Sequence, residues 1–237
     1  MKGKLYGVGV GPGDPELITL KAKRILEQVD YIAVPKTAEG KESLALKIVK
    51  GAVEVEKEII ELLFPMSYES KVLEEGWSKA VESLKSKLDA GKSIALITLG
   101  DPSVYSTYIY VHKILEKQDY DTEMIPGIPS FCASAARAGI SLGENKETIA
   151  VIPSAYECEE LDHILDEFDN VVLMKVSRNF NLLREKLAEK NLDSSAVIVS
   201  KCGLEDENIE FDLKKIDEEK LSYFSTVIVK KAGMDKK

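Results

Sequence analysis

The chain is poor in the residues that staple or metallate small folds. Its 237 residues include three cysteines, Cys132, Cys158 and Cys202, and two histidines, His112 and His163. An odd, scattered cysteine set without CxxC spacing argues against a disulfide framework and structural zinc and fits a reducing compartment, so a cytoplasmic protein is expected. Neither histidine has a partner at ligand spacing, and both read as structural. No apolar run approaches the roughly 20 residues of a membrane helix, and the first residues read as a strand in place of a charged and apolar leader. With 32 basic against 41 acidic side chains, a net charge of −9, the chain lacks the basic excess that duplex nucleic acid demands. Neither nucleic acid nor membrane is expected as a partner.

What is present is core-forming material. Hydrophobic residues make up 44 %, and the length suits one large domain or two of roughly 120 residues each. Lys4–Val10, Tyr31–Val34, Glu58–Leu63, Ser93–Leu99 and Thr122–Ile125 read as strands. Helical spacing fills Thr19–Gln28, a stretch capped by Ser43, Glu69–Ala90 and Tyr105–Lys117, and Pro126–Ser130 opens another helix. Strictly alternating elements predict a mainly parallel sheet covered on both faces. Pro35 is read as the end of the second strand. After Ala138 the pattern changes, and strands at Thr148–Ile152, Val171–Met174, Ala196–Ser200, Ile209–Phe211 and Phe224–Val229 suggest a mixed sheet with antiparallel members. Helices are expected at Glu159–Phe168 and Phe180–Glu189. The domain boundary is placed there, giving domains 1–138 and 139–237.

Three loops are rich in glycine and proline: Gly7–Pro15, Leu99–Ser106 and Pro126–Phe131. Each follows a strand and precedes a helix, so in a parallel sheet they should converge at the carboxyl edge, where open α/β folds bind ligands. A dinucleotide fingerprint fails, because GxGxxG from Gly7, Gly9 or Gly11 would need glycine at Pro12, Asp14 or Glu16. The acidic residue expected after the second strand is also missing, since Asp30 precedes it. Each loop alone reads equally as a structural turn; their shared position favours a site.

The ordered set formed by Gly7–Ala22, Asp30–Pro35, Gly100–Ser106, Pro126–Ser130 and Met174–Arg178 resembles the tetrapyrrole methylases. Within that family the wording GVGVGPGDPELITLKA, YIAVPK, GDPSVYST and YFSTVIVKK is most similar to members that methylate C20 of precorrin-2 or cobalt-factor II. The resemblance implies a class III methyltransferase with two α/β domains and a cleft between them. The first domain would carry the glycine loop, the GDP loop and a substrate trough, and the second would line the cofactor. It implies S-adenosylmethionine as methyl donor, a tetrapyrrole substrate, a homodimer and no protein-bound metal. It places Pro12, Leu99, Gly100, Asp101, Val104, Ser130, Phe131, Met174, Cys202 and Thr226 beside the cofactor. Cys202 departs from the small Ala or Gly common in relatives.

Methyl transfer from a sulfonium needs alignment more than acid–base machinery, because the donor already carries the activation. No dedicated base is identified; Asp101 and Tyr105 are the candidates for a catalytic role. A carboxylate at Asp101 would favour a cationic donor, or it caps the following helix. Lys36, Tyr105 and Arg178 are candidates for binding substrate carboxylates or the macrocycle, against surface cations and ordinary packing. The cluster Glu157-Cys158-Glu159-Glu160 with His163 imitates a metal site but reads as a solvated helix start, and any cobalt would arrive inside the substrate. Other activities left open are methylation of another tetrapyrrole carbon, methylation of a protein histidine, and non-catalytic nucleotide binding.

Overall fold

The computed structural model describes residues 1–36, 40, 42–64, 69–155 and 158–234. It divides into two compact units, Met1–Pro129 and Ser130–Lys237. In the first, the strands are β1 (Lys4–Gly9), β2 (Tyr31–Lys36), β3 (Glu58–Leu63), β4 (Ile94–Thr98) and β5 (Asp121–Ile125). They alternate with helices α1 (Leu20–Gln28), α2 (Leu44–Ala52), α3 (Ser70–Asp89) and α4 (Tyr108–Glu116). The sheet is parallel throughout, in the order β3-β2-β4-β1-β5.

Both faces of this sheet are buried, and the period of two along each strand decides which face a residue joins. Ala95 and Ile97 of β4 pack with Ile25, Leu26, Ile48 and Val49 from α1 and α2. Their neighbours Ile94 and Leu96 pack with Leu84, Leu88 and Val111 from α3 and α4. Thr19 caps α1, its hydroxyl accepting from Ala22 N at 3.1 Å, and Ser43 caps α2 in the same way.

One local expectation changes. Strand β2 runs through Pro35 to Lys36. Its pairing with β4 stops at Ala33, while pairing with β3 continues to Lys36, so proline sits where one edge of the strand has no ladder partner. Asp30 is a clip at the amino end of the sheet. Its carboxylate accepts from Ser93 N and Ser93 Oγ, both at 2.8 Å, and from Lys92 Nζ at 3.0 Å. The Ser93 amide first, and then Lys92, hold this carboxyl at about 2.

The second unit contains α5 (Ser130–Ala138), β6 (Ile149–Ile152), α6 (Leu161–Glu167), β7 (Asn170–Met174), α7 (Phe180–Glu189), β8 (Ala196–Ser200), β9 (Asn208–Glu210) and β10 (Ser225–Lys230). Its sheet order is β6-β7-β10-β8-β9, parallel at β6–β7 and antiparallel at the other pairings. Leu161 and Leu165 of α6 and Phe180, Leu183 and Leu187 of α7 cover one face. Helix α5 packs against β10 and β8. The division therefore falls after Pro129, ahead of the change in pattern after Ala138, because α5 buries its face in the second sheet. Among the described residues, no helix is long and apolar enough to cross a membrane.

Candidate functional site

The three loops of the first unit meet through their backbones at the carboxyl edge of the adjacent strands β4, β1 and β5. Gly11 N donates to Gly100 O at 3.2 Å, and Gly100 N donates back to Gly11 O at 2.8 Å. A β-carbon on Gly9 would lie 2.6 Å from Gly127 N and 2.7 Å from Gly100 O, so these chains pass too closely for any side chain there. Thr98 Oγ1 and Ser106 Oγ, both buried, are 2.8 Å apart and close the base of the second loop.

Asp101 joins the second loop to the third. One carboxylate oxygen accepts from Ser103 N at 2.8 Å and from the Ser103 hydroxyl; the other accepts from Gly127 N at 2.9 Å. The side chain is buried. Pro12 is buried beside the Gly11–Gly100 bridge in sequence, while Leu99 and Val104 are half-buried. Tyr105 is 55 % exposed at the tip of its loop, with φ +48 in the left-handed region. Lys36 ends β2, separated from β1 by β4, and its Nζ lies 2.6 Å from Glu61 Oε1.

In the second unit, strand register sets two of the other expected residues opposite each other. Met174 ends β7 opposite Thr226 on β10, and Ser225 stands opposite Ser200, two residues before Cys202. Ser130 and Phe131 are half-buried at the start of α5. Arg178 is exposed on the turn between β7 and α7.

Cys202 is buried, and burial pushes its thiol pKa up. Beside it, Ser134 favours the thiolate and Glu207 opposes it. Glu207 also accepts from Arg137 Nε at 2.9 Å and Nη2 at 2.7 Å and from Gly203 N at 2.7 Å. Burial opposes its ionisation, but Arg137 and the Gly203 amide carry its pKa below the ordinary value. The Arg137–Glu207 pair ties α5 to the turn after β8, next to Cys202. Ser103, Gly127, Arg137 and Glu207 were not singled out from the sequence, whose spacing carries no sign of partners 26 or 70 residues away.

Among the described residues, no group of three His, Cys, Asp or Glu could hold a metal ion. Glu157 of the acidic cluster lies outside the described residues.

Two α/β units, the first with glycine loops meeting at the edge of its parallel sheet, agree with what sequence comparison finds. The family model described as Tetrapyrrole (Corrin/Porphyrin) Methylases matches residues 4–217, and the chain belongs to this family. It is 40 % identical to a probable cobalt-precorrin-2 C(20)-methyltransferase of Methanocaldococcus jannaschii, covering 96 % of both chains. It is 35 % identical to the cobalt-precorrin-2 C(20)-methyltransferase of Salmonella typhimurium, covering 98 % of both. In fold it is similar to a cobalt precorrin-4 methyltransferase, with TM-score 0.72 and 21 % identity over 96 % of this chain and 94 % of that one. A uroporphyrin-III C-methyltransferase from Thermus thermophilus, solved with S-adenosylhomocysteine, gives TM-score 0.68 at 19 % identity over 96 % and 97 %.

Proposed function

We propose that this chain is an S-adenosylmethionine-dependent C-methyltransferase that adds a methyl group to C20 of precorrin-2 or its cobalt complex in cobalamin biosynthesis. The observation that carries the reading is similarity over nearly the whole chain to two relatives named for that reaction. The residues fit the donor chemically. In the first unit half-buried Leu99 and Val104 offer apolar surface and the backbone at Pro12 and Gly100 offers polar partners; in the second, half-buried Phe131 and Met174 and the polar side chains of Ser130, Cys202 and Thr226 offer the same kinds of contact. When bound, the donor supplies a methyl group on a positively charged sulfur.

The protein's own work is alignment, because an in-line substitution at an activated methyl is limited by the geometry of approach. The nucleophile is the electron-rich macrocycle carbon, which loses a proton after transfer. Asp101, with both oxygens engaged inside the first unit, suits loop positioning better than proton transfer. Lys36, Tyr105 and Arg178 are proposed to face substrate carboxylates or the ring. The enzyme would work in the cytoplasm on a small tetrapyrrole, with no metal of its own and neither nucleic acid nor membrane as partner.

Incubation with methyl-labelled donor and a panel of precorrin-2, cobalt-precorrin-2, precorrin-4 and uroporphyrinogen III tests the reading. Label at C20 of precorrin-2 or its cobalt complex is expected. Label on another carbon would assign a different reaction of the family, and donor binding without transfer to any tetrapyrrole would leave a binding module. Calorimetry should show saturable S-adenosylmethionine binding and none for NAD. The family resemblance also suggests a homodimer. Light scattering at micromolar concentration should then report about twice the 26.2 kDa chain mass, and a monomer would count against it.

A further inference from the structure

The same sheet edge of the second unit carries residues that the reading above leaves unused. Tyr223 and Phe224, just before β10, are 48 % and 44 % exposed, with ring centroids 5.5 Å apart in an edge-to-face contact. Two adjacent aromatic rings left in water forgo the burial that would ordinarily stabilise the fold. Lys175, just after β7, has φ +55, a left-handed conformation that a lysine adopts only at a cost. Its Nζ stands 5.8 Å from the Tyr223 ring centroid, within cation–π range. Lys36 and Lys201 are neutralised by Glu61 and Asp206. For Lys175, no acidic side chain among the described residues lies within ion-pair distance.

The backbone fixes this group beside the residues assigned to the cofactor. Met174, which precedes Lys175, pairs with Thr226, and Val176 N donates to Ser225 O at 3.5 Å. On the other side of β10, Lys201 N donates to Phe224 O at 2.8 Å, one residue before Cys202. An exposed aromatic pair and a strained backbone each work against stability, and the ammonium beside them has no acidic partner among the described residues. One ligand that is planar and anionic would make use of all three.

We infer that Tyr223, Phe224 and Lys175 form a tetrapyrrole subsite, the rings receiving an edge or face of the macrocycle and the ammonium receiving one peripheral carboxylate. This inference rests on the reading of the chain as a tetrapyrrole methyltransferase. It makes Lys175 a specificity-determining residue in addition to Lys36, Tyr105 and Arg178.

The test measures tetrapyrrole binding and turnover separately from donor binding, using anaerobic precorrin-2 with wild type, Lys175→Gly, Lys175→Arg and Tyr223→Leu. Glycine suits the left-handed backbone, so Lys175→Gly should melt no lower than wild type. Its KM and Kd for precorrin-2 should nonetheless rise about tenfold, the loss of one charge-assisted contact. Lys175→Arg should recover most of the affinity, Tyr223→Leu should raise KM several-fold, and S-adenosylhomocysteine affinity should stay within about twofold throughout. Active wild type with unchanged KM and Kd in both Lys175→Gly and Tyr223→Leu would overturn the subsite. If wild type binds precorrin-2 without methylating it, the activity fails while the Kd series still decides the subsite. If it binds no tetrapyrrole, both readings fall.

Discussion

Replacing Gly127 with alanine is expected to cost about 3 kcal/mol of stability or more and to remove donor binding with it. The new β-carbon would sit 2.1 Å from Gly100 O and 2.7 Å from the carbonyl carbon of Gly9. Both obstacles are backbone, tied by the Gly11–Gly100 hydrogen bonds and by pairing of β1 with β4 and β5, so no side-chain rotation relieves the overlap. The three loops would have to part, and the surface they build together would part with them. Gly139→Ala is the control. There φ is +69 but nothing lies within 4 Å of the added carbon, so the cost should be the left-handed penalty alone, about 1 kcal/mol. Denaturant midpoints with and without S-adenosylhomocysteine measure both effects. Equal, small losses in the two variants would mean that the loops do not rely on backbone contact.

The features legible in the sequence are those whose cause lies within a few residues. Helix α7 and strand β8 have the limits read from periodicity, and Ser43 caps the helix it precedes. The meeting of the three loops followed from their common place after parallel strands. What stayed hidden is tertiary. Pro35 continues a strand because β4 has already stopped pairing, a fact about a neighbour 60 residues away. Helix α5 joins the second unit because its buried Ala133, Ser134 and Ala135 find β10 and β8. The strain at Lys175 and Tyr105 is equally unreadable, since neither residue type signals a positive φ. In the candidate site, motifs supplied the expected residues but not the partners that hold them, as Asp101 shows.

Asp101→Ala and Asp101→Asn are expected to lose similar amounts of stability, about 2–4 kcal/mol, and to weaken both the cationic donor and its neutral product by the same factor. The sequence left two roles for this carboxylate: attraction of the donor's positive charge, or a cap on the following helix. Helix α4 has Thr107 at its N-cap position, so Asp101 does not cap it. Instead its two oxygens serve two backbone donors, Ser103 N and Gly127 N, at 2.8 and 2.9 Å. Both bonds need acceptors, and an asparagine has one acceptor oxygen; its amide nitrogen would turn N–H groups against whichever backbone N–H remained. The isosteric change therefore keeps at most one bond and leaves a partly buried donor without its partner, which is why it should resemble alanine rather than wild type. A carboxylate acting on the sulfonium gives a different pattern. In that case Asp101→Asn would melt like wild type and lose affinity for S-adenosylmethionine while keeping it for S-adenosylhomocysteine. Paired melts and titrations with the two ligands separate the roles, and a selective loss of the cationic one would return Asp101 to direct contact with the donor.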